Sequence, residues 1–374
     1  ITPKAPKGEK PYRFNWQTPI LLSSHNQDIL YMGSEFLQRS MNQGETWERI
    51  SGDLTNGAKE GNVAFGTIST ISESKFQFGL LYAGSDDGKI HVSKDGGVSW
   101  QLISGNLPQN LWVSRVVASS HKKERVYVTL NGYRNDNFES YAFVSEDFGA
   151  TWTSISNGLT QAVNVIVEDS ANENILYVGT DNGLFISIDK GVNWQDFSNG
   201  MPKVAIHDAV IQTKAKELIV GTHGRSIYKM DISKVQELTK DVLAKNLHLF
   251  KVNDRTKSER WGSQNYAWGK PSEPSQTIWF YSNADGIVNV SITNEAGMLV
   301  HTQKVEAKKG LNSFAYDYLL SKEVAEKWNK KDKNIKIKEA ENKKFYLPVG
   351  KYKMTVSKDK VTETKSFEVT APKK

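Results

Sequence analysis

Five carboxylates stand out by residue type and setting: Glu35, Asp86, Asp136, Asp181 and Asp208 each lie in a short polar stretch beside an apolar run. Two carboxylates facing each other across a scissile bond hydrolyse a glycosidic linkage, so by count alone a pair could be drawn from these five. Trp16, Tyr133, Arg134, His207, His223 and Arg225 occupy the same kind of stretch. Aromatic rings with a few convergent polar groups suit recognition of a sugar or an extended peptide with no bond broken. Other chemistries lack their residues. The chain has no cysteine, its seven histidines are scattered with no His-x-x-x-His pair, and no phosphate loop or nucleophile elbow is present, so neither metal nor cofactor is expected.

What must position these residues is a repeat. An eight-residue motif occurs four times, at Ser40–Trp47 (SMNQGETW), Ser93–Trp100 (SKDGGVSW), Ser145–Trp152 (SEDFGATW) and Ser187–Trp194 (SIDKGVNW). Asn42, Asp95, Asp147 and Asp189 are expected to accept from backbone N–H groups two residues on. Gly44, Gly97, Gly149 and Gly191 would take a positive φ, and Trp47, Trp100, Trp152 and Trp194 would bury a ring against neighbouring strands. Ahead of each motif runs a short apolar strand: LYMGS from Leu30, LYAGS from Leu81, VYVT from Val126 and LYVGT from Leu176. A fifth, LIVGT from Leu218, has no motif after it. Four strands per unit of this length make a β-propeller blade.

The chain resembles the Asp-box (BNR-repeat) propellers, and more closely the sortilin-like or "glycosyl hydrolase" BNR-repeat proteins of Bacteroidetes. The likeness rests on the four motifs, on Arg13–Pro19 (RFNWQTP), Ile50–Thr55 (ISGDLT), Gly221–Tyr228 (GTHGRSIY) and His248–Phe250 (HLF). It implies an all-β chain of propeller blades followed by an immunoglobulin-like β-sandwich. A sialidase of this family would need an Arg cluster and a Tyr nucleophile, and the presumed ligand face offers only Arg134 and Arg225. The domains expected are 1–233 as blades, 234–274 as one short amphipathic helix and an irregular linker packed on the propeller, and 275–374 as the sandwich with a Lys-rich insert at 321–344. The fifth unit lacks its last strand, and the segment before Ile20 abuts its own blade. The reading is therefore a part of a larger propeller, partnered by that ring's N-terminal part.

Residues 301–374 carry 19 Lys plus Arg against 10 Asp plus Glu, which leaves 29 against 32 in the rest. The basic excess belongs to the terminal domain and reads as a solubilising surface, not a nucleic-acid footprint. No apolar run approaches the ~20 residues of a membrane helix. The sequence thus reads as an exported, extracytoplasmic protein of the periplasm or cell surface, non-catalytic, binding a glycan or protein ligand as a scaffold. A glycoside hydrolase completed by further blades and a sortilin-like peptide receptor or assembly factor are the alternatives. The ligand residues expected are the eleven named at the outset. Trp16 and Trp112 are expected to pack between blades, and the motif residues to be structural.

Overall fold

The computed structural model describes residues 2–372 except 62, 63, 199, 265, 267 and 334; residue 334 of the Lys-rich insert and the last two residues of the terminal domain therefore lie outside it. Strands hold 41% of the chain and helices 6%, which makes it all-β. It divides into two compact units, Ile1–Gln236 and Glu237–Lys374.

The first unit is a series of antiparallel meanders. Blade 1 comprises Ile20–Leu22, Leu30–Gly33, Leu37–Ser40 and Glu48–Arg49; blade 2 Ile68–Glu73, Leu81–Ser85, Ile90–Ser93 and Gln101–Leu102. Blade 3 comprises Trp112–Ala118, Val126–Gly132, Asn137–Ser145 and Thr153–Ser154; blade 4 Val163–Glu168, Leu176–Thr180, Gly183–Ser187 and Gln195–Asp196. Blade 5 has three strands, Ile206–Gln212, Glu217–Thr222 and Ile227–Asp231. Cores form between consecutive blades, because each strand alternates its side chains between two faces. Tyr31 and Leu37 of blade 1 pack with Ile68, Leu81 and Ala83 of blade 2. Tyr82 and Ile90 pack with Val113, Val116 and Val128 of blade 3, and Tyr127 with Val163, Ile166 and Val178 of blade 4.

The four motifs fold alike, with one correction to the sequence reading. Gly44, Gly97, Gly149 and Gly191 do sit at φ 92°, 96°, 89° and 86°. The Asp or Asn carboxyl or amide oxygen, however, accepts from the N–H four residues on, at 2.9 Å in each copy. The serine supplies the shorter clamp, its hydroxyl accepting from the glycine N–H at 2.7–2.8 Å. The four tryptophans are half-buried. Trp100, Trp152 and Trp194 donate their indole N–H to Ile50, Ile103 and Ile155 of the preceding blade, whereas Trp47 turns back to Gly44 of its own motif.

The second unit holds a three-stranded sheet (Leu247–Leu249, Gln276–Ser282, Gly310–Tyr316) and a five-stranded one (Arg255–Thr256, Gly286–Asn294, Leu299–Ala307, Gly350–Lys358, Val361–Thr370). A two-stranded pair joins Leu319–Leu320 to Phe345–Tyr346. The insert begins as the helix Lys322–Lys331, whose N-cap Ser321 accepts from Val324 N and whose Ala325 and Trp328 are buried. Two expectations are corrected. Residues 233–243 form two short helices, Ser233–Gln236 and Lys240–Leu243, because Thr239 caps a new start by accepting from Val242 N. The segment after Lys251, expected against the propeller, sends Val252 and Trp261 into the core of the second unit instead.

Candidate functional site

In a meander the links between strands two and three, and the approaches to strand one, gather at one end of the blade; the Ser-x-Asp/Asn-x-Gly motifs link strands three and four at the other. The first end carries every rim residue expected from the sequence. Its carboxylates are mostly committed to the fold. Glu35 is 6% exposed and accepts from Arg13 N at 2.7 Å, with the Arg13 guanidinium 3.7 Å away. Asp86 is 4% exposed and accepts from Thr67 N (2.9 Å), Thr67 Oγ1 (2.8 Å) and Asn15 Nδ2 (3.2 Å). Burial pushes its carboxyl up from the ordinary value, against the pull of the Thr67 bonds. Asp181 accepts from Asn164 Nδ2 at 2.8 Å, and Asn164 in turn accepts from Asn131 at 2.7 Å, which ties blades 3 and 4. Asp208 meets Arg115 at 2.6 Å. Arg115 is the rim residue that the sequence did not single out; its partner is distant in the chain, and only the fold brings the two inner strands together.

Two clusters emerge. In blade 3 the second strand ends at Gly132 and a 3₁₀ turn, Tyr133–Asn135, follows; Asp136 closes it in a left-handed conformation at φ 54°. Asn131 Oδ1 accepts from Tyr133 N, and Asn135 donates to Asn110 O. The Arg134 guanidinium lies 4.0 Å from the Trp112 ring centre. This stack fixes the turn and leaves Tyr133 and Phe138 exposed. In blade 5 the His207 and His223 rings stand 5.2 Å apart. Desolvation, then the neighbouring His223, lower the His207 pKa despite Asp181 nearby, so His207 is neutral at neutral pH. Among the described residues no group of three His, Asp or Glu could hold a metal ion. Arg225 is exposed, and Trp16 is 83% exposed where inter-blade packing was expected; the neighbouring Asn15 is the residue turned into the fold, donating to Thr67 and Asp86.

The family model described as "Sortilin, neurotensin receptor 3" matches residues 35–162. With the repeated sheets, this supports a sortilin-like β-propeller. No curated protein matches the chain. Solved structures similar to it include the GH74 xyloglucanase from Xanthomonas campestris, at 12% identity and TM-score 0.46, with 96% of this chain and 55% of that one covered. PorZ, a surface component of the type-IX secretion system of Porphyromonas gingivalis, matches at 16% identity and TM-score 0.43 over 94% of this chain and 51% of its own. YCF48 bound to D1 peptide matches at 12% and 0.40, over 61% and 66%. The chain spans about half the length of the first two. At these values the likenesses carry no conclusion about function. No helix among the described residues is long and apolar enough to cross a membrane.

Proposed function

We propose that the protein is a non-catalytic binding or scaffolding module, exported to the periplasm or cell surface, whose propeller presents its loop-rich end to a glycan or peptide. The observation that carries this reading is the contrast at that end. Glu35, Asp86, Asp181 and Asp208 are held in hydrogen bonds and ion pairs within the fold, while Tyr133 and Phe138 are exposed beside a turn braced by Arg134 on Trp112. Exposed aromatic faces take up sugar rings or peptide side chains at small entropic cost. On this reading Trp16, Tyr133, Arg134, Asp136, His207, His223 and Arg225 form the ligand face, the terminal unit is an Ig-like brace, and blades beyond these five complete the ring. The sortilin match favours a peptide over a glycan as ligand.

Glycan-array and peptide-library binding by the chain tests the proposal. The double variant Tyr133→Ala, Arg134→Ala should weaken the ligand found by tenfold or more, on the order of 1.4 kcal/mol. Release of reducing sugar that disappears in Asp208→Asn would replace the binding reading with a hydrolase.

A further inference from the structure

Three elements of the second unit frame a cleft of about 540 Å³: the turn 294–297 between strands Gly286–Asn294 and Leu299–Ala307, the end of helix Lys322–Lys331, and the start of strand Gly350–Lys358. That volume is typical of a small-ligand site. Its floor is apolar. Met298, Ile335 and Val349 line it beside Trp328, whose ring meets that of Tyr352 edge-on with centres 6.3 Å apart. Trp328 and Tyr352 are 6% and 1% exposed, so the core holds both rings in place. The rim carries groups that the fold leaves unused. Asn294 is 8% exposed; its Oδ1 accepts from Met298 N at 2.9 Å, but its Nδ2 donates to no group among the described residues. An amide donor buried this far is costly to leave open, and the cleft is where it can be met. Lys331, Lys351 and Glu295 line the same cleft, and among the described residues none of their side chains has a hydrogen bond or an ion pair. Asp332, the other carboxylate there, has a partner within the fold.

We infer that this cleft binds a short peptide with both ends free and an apolar side chain. Lys331, Lys351 and the Asn294 amide donate to its carboxylate, Glu295 accepts from its ammonium, and the floor takes the side chain. Charge complementarity argues for this occupant. A ligand of one charge would leave either Glu295 or the two lysines facing a like charge, whereas a zwitterion gives each an opposite partner. Size argues the same way, since a cleft of small-molecule volume takes a peptide of few residues and not a folded partner. The site lies wholly in the second unit and stands whether or not the propeller rim binds a ligand.

Titration calorimetry of the whole chain with leucyl-leucine at low salt tests the inference. Glycyl-glycine, which lacks the apolar body, should bind about tenfold more weakly, and so should leucyl-leucine blocked by N-acetylation or by C-terminal amidation. Glu295, Lys331 and Lys351 are exposed, so their substitution should leave the circular dichroism unchanged. Glu295→Gln should bind the free and N-acetylated dipeptides alike, and the double variant Lys331→Met, Lys351→Met should bind the free and amidated ones alike. Each variant thus cancels the effect of blocking one end and not the other. No saturable binding of leucyl-leucine, or blocked forms that bind the parent chain as well as the free dipeptide does, would overturn the inference. So would sensitivity to both ends that survives in both variants, because the dipeptide would then sit elsewhere.

Discussion

Seams 2–3 and 3–4 of the propeller bury the same tyrosine in opposite ways. Between blades 3 and 4 the Tyr127 hydroxyl donates to Glu168 at 3.0 Å, and Ser119 Oγ, Ser120 N and Ser120 Oγ donate to the same carboxylate. The buried Arg125 guanidinium lies 3.5 Å from it, and His121 bonds Asp169 O. Between blades 2 and 3 the residue in the place of Glu168 is Ala118, and the Tyr82 hydroxyl meets no partner among the described residues. That seam relies on apolar packing and on Ser72 Oγ and Thr70 Oγ1 accepting from Ala118 N and Val116 N. A tyrosine at a fixed repeat position is thus no guide to how its seam is held. The acceptor comes from the next blade, and a buried polar group without one is costly.

The largest test of this contrast is Glu168→Ala. It removes the acceptor of four donors and a counter-charge of Arg125, which keeps Glu146 and Glu173, and should cost about 3 kcal/mol in chemical denaturation. Next is the paired change of the tyrosines. Tyr127→Phe loses a bond to a charged group and should cost about 1.5 to 3 kcal/mol, while Tyr82→Phe should stay within about 0.5 kcal/mol of the parent or stabilise it. Equal losses at both positions would dissolve the distinction between the seams. The smallest effect concerns the motif turns, where bonds from Ser99 and Thr151 hold Asp95 and Asp147 at about 2 against the usual 3.8. Folded-state values below the unfolded ones give stability that is present above pH 3.8 and lost as pH falls towards 2. Asp95→Asn and Asp147→Asn should therefore flatten the acid limb of thermal unfolding in that window, with the loss of stability seen at neutral pH and vanishing as pH falls to about 2.

The blades were legible in the sequence because each turn carries its own constraints within eight residues: a hydroxyl clamp, a carboxyl or amide acceptor, a glycine and a tryptophan. The seam latch was not, since Glu168 is a strand residue like any other until Ser119 and Tyr127, more than 40 residues earlier, are known to face it. The rim was half legible for the same reason. Residue type marked Glu35, Asp86 and Asp208 as chemically capable, but type does not reveal that Arg13, Thr67 and Arg115 already engage them. Trp261 lay in a polar stretch whose neighbours gave no period, so only the fold shows which core takes its ring.

The Glu latch also alternates. Ser23 and Ser24 of blade 1 donate to Glu73 of blade 2 as Ser119 and Ser120 of blade 3 do to Glu168 of blade 4, with His25 and His121 reaching the following carbonyl each time. Blades 1 and 3 bring donors and blades 2 and 4 bring acceptors. The latched unit is then a couplet, not a blade. Excising blades 2 and 3 together would set the donors of blade 1 against the acceptor of blade 4 and keep the alternation, whereas excising blade 2 alone would set those serines against Ala118, which cannot accept.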